Sequence, residues 1–327
     1  MTGAVPHLDP IAEPREILVY LRECDAPYRV LLGENPRAGY RTQFCSSIKE
    51  IKQNIANAEI ILGSIAFPAE LLSRAKKLRW IQVTGAGVDR FLSEAVIPED
   101  VVLTRADVGF GDQIAEYVFG HLLARTQRIA ELHHDQARRT WEPRTLSWLA
   151  GKTMAIAGTG SIGRAVAQRA RGMEMRVIGY ARTTPQLPEF ERIYAPPEWL
   201  DFLHEANVVV ITLPLTHRTQ GLVDAEAFRA MKQDAVLVNV ARGAIVDEDA
   251  LIDALRSGAV GAAILDVFKT EPLPADHPLW GIPNVTITPH HAGLNIPGKI
   301  AAFFLENLRR YINGEPLLGV VDRERGY

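Results

Sequence analysis

Thr153-Met-Ala-Ile-Ala-Gly-Thr-Gly-Ser-Ile-Gly163 is the stretch on which the fold turns. Its first five residues form a short apolar run that enters Gly158-Thr-Gly160-Ser-Ile-Gly163 directly. The alanine- and arginine-rich segment Arg164–Arg171 then reads as a helix, and Arg176-Val-Ile-Gly-Tyr180 as the next strand. A strand, a GxGxxG turn, a helix and a second strand in this order make a dinucleotide-binding unit. The pyrophosphate rests on the helix N-terminus, where unpaired backbone N–H groups and the helix dipole favour negative charge. Gly158 allows the tight turn, Gly160 lets a phosphate approach the backbone, and Gly163 lets helix and strand pack closely. With Ser161 and Ile162 between them, these residues are the first cofactor-binding candidates. A merely tight turn is the alternative, and the flanking strands and helix argue against it.

Outward from that unit, the chain is of ordinary composition. Its 327 residues are 47% hydrophobic and 23% charged, enough for two domains. A formal net charge of −3 gives no electrostatic reason to expect nucleic acid or an acidic membrane as partner. Cys24 and Cys45 have neither metal spacing nor a disulfide framework, so a reducing compartment is expected. Ile17-Leu-Val-Tyr-Leu21, the apolar run near the N-terminus, is flanked by charges and too short for a signal core or a membrane span. It fits a buried first strand, and the protein is expected to be cytoplasmic.

The pattern on either side is α/β. Ile17–Leu21, Tyr28–Leu32, Ile60–Gly63, Trp80–Val83 and Val101–Thr104 read as strands, with helical stretches such as Glu70–Lys76 between them. Ile114, Val118, Leu122 and Ile129 recur near helical period, and the polar stretch Asp135–Arg144 leads on to Gly151. Beyond the dinucleotide unit, Val208–Thr212, Ala235–Asn239, Gly261–Leu265 and Val285–Thr288 read as strands, and Ile300–Asn313 as a helix returning to the first domain. Alternation of this kind predicts two doubly wound parallel-sheet domains with a cleft between them. Residues 1–113 with 294–327 form a flavodoxin-like substrate domain in this reading, and 114–293 a Rossmann cofactor domain.

Ligands of such sheets lie beyond the carboxyl ends of the strands. Arg242 follows one strand in Asn239-Val-Ala-Arg-Gly-Ala-Ile-Val-Asp247, between the small residues Ala241 and Gly243 that would let a substrate approach. Its guanidinium fork matches a carboxylate, although a lone arginine here is more often a surface ion-pair partner. Glu271 lies in Leu265-Asp-Val-Phe-Lys-Thr-Glu-Pro-Leu273, and His290 in Thr288-Pro-His-His-Ala-Gly293. Histidine is a natural proton donor to a carbonyl under reduction, and a carboxylate beside it fixes the tautomer and raises the pKa. Alone, each has a bland reading, a structural histidine or a solvated carboxylate. The ordered set of three favours a site.

These motifs resemble the D-isomer-specific 2-hydroxyacid dehydrogenases from about Ile60 onward. The resemblance is carried by GTGSIG, by Leu213-Pro-Leu-Thr216 with Thr219 and Gly221, by VNVARGAIVDEDAL, by DVFKTEPLP and by ITPHHAG. The ending Val321-Asp-Arg-Glu-Arg-Gly-Tyr327 is similar to the glyoxylate/hydroxypyruvate reductase branch. The resemblance implies His290 as general acid/base, Glu271 as its partner, and Arg242 binding the substrate's carboxylate and carbonyl. It places Leu213, Pro214, Thr219, Val240 and Ala241 along the cofactor, with Asp266 at the nicotinamide carboxamide. Val83-Thr-Gly-Ala-Gly-Val-Asp89 matches the loop whose backbone N–H groups hold the substrate carboxylate, through Gly85, Ala86 and Gly87. Implied with these are reversible reduction of a short 2-oxo acid to a D-2-hydroxy acid and a homodimer built on the Ile114–Ile129 helix, whose apolar residues include Phe119 and Leu123.

Two departures sharpen the reading. NAD-preferring Rossmann enzymes place an acid at the end of the second strand to meet the ribose hydroxyls. Tyr180-Ala-Arg-Thr-Thr184 has none, and Arg182 with Thr183 could bind a 2′-phosphate, so NADP(H) is expected ahead of NAD(H). The second departure is His291, which gives two adjacent histidines; the position after Thr288-Pro289 favours His290, leaving His291 to packing. His133-His134-Asp135 reads as a solvated helix end, and no spacing suggests a metal. Phosphoglycerate- or phosphite-type dehydrogenases of the same family are alternatives, as is a nucleotide-sensing, corepressor-like interaction protein. Glu271 argues against a formate dehydrogenase, which carries an amide there. No disordered or basic appendage is expected after the last motif, which weighs against the corepressor reading.

Overall fold

A computed structural model describes residues 14–21, 25–33, 39–64, 66–94 and 97–327. Cys24 lies outside them, whereas Cys45 is buried. Two compact units are present, one ending at Gly109 and resuming with Asn295–Tyr327, the other Phe110–Leu294. Among the described residues no helix is long and apolar enough to cross a membrane.

The first unit is a five-stranded parallel sheet. Strands β1 (Arg15–Tyr20), β2 (Tyr40–Phe44), β3 (Ala58–Gly63), β4 (Trp80–Val83) and β5 (Val102–Arg105) lie in the order β2-β1-β3-β4-β5, a flavodoxin-like doubly wound arrangement. Helices α1 (Asp25–Leu32), α2 (Ile48–Asn54) and α3 (Asp89–Glu94) cross between them, and Ala69–Arg74, read above as part of a helix, is a 3₁₀ segment.

Tyr28–Leu32 was expected as a strand and is the second half of α1. Tyr28 and Leu32 are buried four residues apart while Val30 and Leu31 face solvent, which is a helical rather than a two-residue period. The strand that takes its place in the sheet is β2. It escaped notice because its middle residues, Arg41, Thr42 and Gln43, are polar, as suits an edge position.

The second unit opens with α4 (Phe110–Thr126) and α5 (Ile129–Ala137). Seven parallel strands follow: β6 (Thr153–Ala157), β7 (Arg176–Tyr180), β8 (Arg192–Tyr194), β9 (Val208–Ile211), β10 (Val236–Asn239), β11 (Ala262–Leu265) and β12 (Val285–Ile287). Their order is β12-β11-β10-β9-β6-β7-β8, so the chain runs outward from β6 on one side and resumes at β9 on the other. That reversal beside β6 is a topological switch point, where ligands of open α/β sheets bind. The residues of β6, β9, β10 and β11 are buried, with helices covering both faces of the sheet, which accounts for their near-continuous apolar sequences. Helices α6 (Ser161–Gly172), α7 (Trp199–His204), α8 (Ala225–Ala230) and α9 (Glu248–Ser257) make the crossovers. Helix α9 is capped by Asp247, which accepts from the Asp249 and Ala250 N–H groups at 3.1 Å each, and stops at Gly258 with φ +73°.

Within the polar stretch, His133 and His134 are exposed as expected, but Asp135 is not part of a solvated end. It is buried and paired with Arg144 at 2.5 Å, which ties the segment after α5 back to the helix. Helix α10 (Pro297–Ile312) returns to the first unit. There Phe304 and Tyr311 stack on Trp80 of β4 with ring centroids 5.2 and 5.6 Å away.

Candidate active site

Each glycine of the first turn has a distinct physical reason. Gly158 has φ +110°, and a Cβ there would meet Thr212 Oγ1 at 2.6 Å. Thr212 holds the turn by donating to the carbonyls of Ala157 at 3.1 Å and Gly158 at 2.9 Å. A Cβ on Gly163 would come within 1.9 Å of the Gly158 carbonyl oxygen, so helix and turn touch backbone to backbone. At Gly160 an added Cβ would meet nothing within 4 Å, and α6 starts there without a side-chain cap. An open surface at an uncapped helix N-terminus fits a pyrophosphate, so the chain passes this test for a dinucleotide. Arg182 and Thr183 are exposed just past β7, whose last carbonyl, that of Tyr180, accepts from the Gly158 N–H at 2.9 Å. Leu213 and Pro214 follow β9, and Thr219 folds that loop by donating to the Pro214 carbonyl at 2.7 Å.

Beyond β10, β11 and β12 stand the three chemical residues. His290 Nδ1 and Glu271 Oε2 are 2.7 Å apart. The other carboxylate oxygen, Oε1, accepts from the Phe268 N–H at 2.9 Å, so the carboxylate is fixed at both ends. Burial opposes the charge on Glu271, but the His290 bond, the Phe268 N–H and nearby Arg242 outweigh it and hold the carboxyl below its usual range. The same pairing raises His290 above the ordinary histidine value, against burial and the opposing field of Arg242. Arg242 thus acts electrostatically on both members of the pair.

The loop bearing Arg242 is braced by the buried Asn239. Its Nδ2 donates to the Arg242 carbonyl at 3.0 Å, and its Oδ1 accepts from the Ala241 N–H at 3.1 Å. Gly243 was read as clearance for a substrate, and the structure gives another reason for it. A Cβ there would fall 2.0 Å from the Phe268 carbonyl carbon, so the Arg242 loop rests directly on the backbone that leads to Glu271.

Asp266 is the buried hub of this region. Its Oδ1 accepts from the Thr288 hydroxyl at 2.7 Å and the His291 N–H at 2.9 Å, and its Oδ2 accepts from the Ala292 N–H at 2.9 Å. Its main-chain carbonyl accepts from the His290 N–H at 2.9 Å. Three successive backbone amides after Pro289 therefore converge on one residue, and His290 is held with φ +52°, a rare conformation for a residue with a side chain. The expected place of Asp266 at a nicotinamide thus comes with a structural duty that the motif did not reveal.

Sequence reasoning missed Tyr117 altogether. Its hydroxyl lies 2.6 Å from Thr288 Oγ1, and since the threonine proton faces the Asp266 carboxylate, Tyr117 is the donor. Burial pushes the phenol up to about 12. The His121 ring is 4.4 Å from that of Tyr117, and burial followed by His291 lowers its pKa. His291 packs edge-on to Tyr117 with centroids 6.0 Å apart, consistent with a packing role. A tyrosine seven residues into a long helix carries no local signal of such contacts.

The second unit therefore brings together Glu271, His290 and Asp266, with Arg242 beside them, and it also carries the glycine turn, Arg182, Thr183 and the Leu213–Thr219 loop. Gly85, Ala86 and Gly87 belong to the first unit, in the bend between β4 and α3.

The chain is also similar to proteins of known family and structure. Residues 119–292 match the family model described as D-isomer specific 2-hydroxyacid dehydrogenase, NAD binding domain. Among solved structures, a D-isomer specific 2-hydroxyacid dehydrogenase family protein from Aeromonas salmonicida subsp. salmonicida A449 is 37% identical, over 95% of this chain and 100% of that one, with a TM-score of 0.88. A D-isomer specific 2-hydroxyacid dehydrogenase from Xanthobacter autotrophicus Py2, in complex with NADPH and MES, is 30% identical over 96% and 100%, with a TM-score of 0.85. An NADPH-dependent glyoxylate/hydroxypyruvate reductase from Sinorhizobium meliloti, in complex with NADP and sulfate, is 26% identical over 96% and 100%, with a TM-score of 0.86.

Proposed function

The chain belongs to the D-isomer-specific 2-hydroxyacid dehydrogenases, NAD(P)-dependent oxidoreductases, and from that membership we propose that it reduces a short 2-oxo acid of the glyoxylate or hydroxypyruvate kind with NADP(H). The observation that carries the reading is the 2.7 Å His290–Glu271 pair, with Arg242 near enough to act on both charges. Gly158, Gly160, Ser161, Ile162 and Gly163 would hold the pyrophosphate. Leu213, Pro214, Thr219, Val240, Ala241 and Asp266 would line the rest of the cofactor. When bound, the reduced nicotinamide supplies a hydride to the substrate's carbonyl carbon.

The chain's own residues do the remainder. Glu271 fixes the tautomer of His290 by accepting from Nδ1–H, so the proton delivered to the developing alkoxide leaves from Nε2. The raised pKa favours the protonated ring, and the proton's return from the product's hydroxyl runs the reverse reaction. Arg242 would stabilise the oxyanion and bind the carboxylate, with a fork suited to both. The backbone N–H groups of Gly85, Ala86 and Gly87 are the proposed donors to a substrate carboxylate on the first unit.

NADP(H) preference rests on Arg182 and Thr183 at the end of β7, on the lack of a carboxylate from Tyr180 to Thr184, and on the NADPH and NADP of two similar proteins. NAD(H) use at lower affinity is compatible with the same turn. A homodimer is part of the proposal, supported by the exposed Leu123 of α4, by exposed apolar residues of α5 and by those of the segment that follows, whereas Ile114, Val118, Phe119 and Leu122 are buried within this chain. The test is a steady-state panel of glyoxylate, hydroxypyruvate, pyruvate and phenylpyruvate, each with NADPH and NADH, alongside 3-phosphoglycerate and phosphite with NADP+ and NAD+. Rapid NADPH oxidation with glyoxylate and hydroxypyruvate supports the reading. Turnover confined to phosphorylated substrates or phosphite would move the chain to another branch of the family.

A further inference from the structure

The loop that leaves β4 is itself held by one guanidinium. Arg105, the last residue of β5, donates from Nη1 to the Ala86 carbonyl at 3.1 Å, while its Nη2 lies 3.6 Å from Asp107 Oδ2. Its backbone is anchored independently. The Arg105 N–H donates to the Gly319 carbonyl at 2.9 Å, and Gly319, with φ +68°, sits so close that a Cβ would fall 2.4 Å from the Arg105 oxygen. The turn before Gly319 is fastened by the fully buried Asn307, whose Oδ1 accepts from the Leu318 N–H at 2.8 Å. Asn307 Nδ2 donates at 3.0 Å to Gln82 Oε1, on the strand that carries the loop. Arg105 therefore reaches Ala86 from a rigid base that includes the C-terminal turn.

Peptide geometry makes that contact consequential. The Ala86 carbonyl and the Gly87 N–H belong to one planar trans unit, so they point to opposite sides. Pinning the carbonyl on Arg105 presents the Gly87 N–H on the other face. A flip of this unit would turn a carbonyl dipole where a donor had been, and the glycine at Gly87 would otherwise leave the rotation cheap. At Gly85 a Cβ would meet nothing within 4 Å, so packing on that glycine does not hold the loop.

We propose that Arg105 is a positioning residue for substrate recognition, locking the Ala86–Gly87 peptide so that its N–H faces the substrate carboxylate. The inference rests on the reading of Gly85–Gly87 as the carboxylate loop. Arg105 acts on binding rather than on proton transfer, so it belongs to KM and not to kcat.

The test is a double-mutant cycle of Arg105→Met and Gly87→Pro, which deletes the N–H itself, with glyoxylate as substrate and NADPH affinity and melting temperature as checks on folding. Loss of one charge-assisted hydrogen bond predicts that Arg105→Met raises KM roughly tenfold or more, with kcat changed by less than about twofold. In the Gly87→Pro background the same change should add little. Arg105→Lys, which keeps a donor and the charge, should fall between Met and the parent, and it serves alone if the Met variant does not fold. If Gly87→Pro raises KM and the Arg105 variants do not, the positioning role is wrong and the loop reading stands. If Gly87→Pro leaves KM unchanged, the loop reading itself fails. Fully additive effects would mean that Arg105 touches the substrate directly, which also overturns the proposal.

Discussion

His290 is gripped twice: its backbone amide by the Asp266 carbonyl, and its ring by Glu271. The second grip sets the pH behaviour. Reduction needs the protonated ring, so the rate should fall as pH rises through the raised His290 pKa, while oxidation should rise over the same interval. Glu271→Gln removes the cause of the elevation. The falling limb of kcat/KM for reduction should then move to lower pH, and kcat at neutral pH should drop by roughly tenfold or more. An unmoved limb in a folded variant would show that another group titrates. Arg182 allows a second prediction at this scale. Arg182→Ala should weaken NADPH binding by roughly tenfold and leave NADH within about twofold, as loss of one charge-assisted contact to a 2′-phosphate requires. Equal losses for both cofactors, measured by fluorescence titration, would contradict a phosphate-selective role. The residues of both predictions were legible in the chain, because each follows a recognisable strand. Tyr117 and the several duties of Asp266 were not, since both depend on which hydroxyls and backbone amides tertiary folding brings to a buried carboxylate.

At the scale of elements, two loops meet without side chains between them. The Arg242 loop lies against Phe268 and Lys269 through Gly243, where a Cβ would stand 2.0 Å from one backbone atom and 2.3 Å from the next. Neither neighbour can move aside as a flexible side-chain tip would. Gly243→Ala should therefore cost on the order of 1–3 kcal/mol of stability by overpacking, and it should lower kcat/KM by displacing Arg242 and Glu271 together. Gly160→Ala is the contrasting case. Space is open there, so the variant should melt with the parent and lose NADPH affinity alone. Calorimetry and cofactor titration on the two variants check both expectations; an equal loss of stability in each would contradict them. Sequence reading found most strands within a residue or two because the buried ones are continuous apolar runs. It fails at Tyr28–Leu32, an apolar cluster that is helical and in which only Tyr28 and Leu32 face the core. It also failed at β2, whose edge position leaves polar residues in the middle of the strand.

At the scale of the molecule, two doubly wound sheets account for the order of the motifs, with Arg242 and His290 just past strand ends and Glu271 farther along the loop after β11. That much could be argued from spacing alone. What spacing could not show is the surface that the second unit leaves uncovered. Trp141 is 96% exposed and Trp148 70%, with Leu123, Ile129, Leu132 and Leu146 also exposed on or near α4 and α5. The proposed homodimer would cover these exposed aromatic and aliphatic residues. Light scattering at micromolar concentration should give the mass of two 36.2 kDa chains, and the mass of one would contradict the dimer. The role of His290 as proton donor is tested most directly by NADPH binding and glyoxylate-dependent NADPH oxidation compared in the parent and His290→Ala. NADPH affinity should be unchanged in the variant while oxidation falls by at least about a hundredfold, as loss of a general acid predicts. Oxidation that survives the substitution, or its absence in the parent despite tight NADPH binding, would contradict the account.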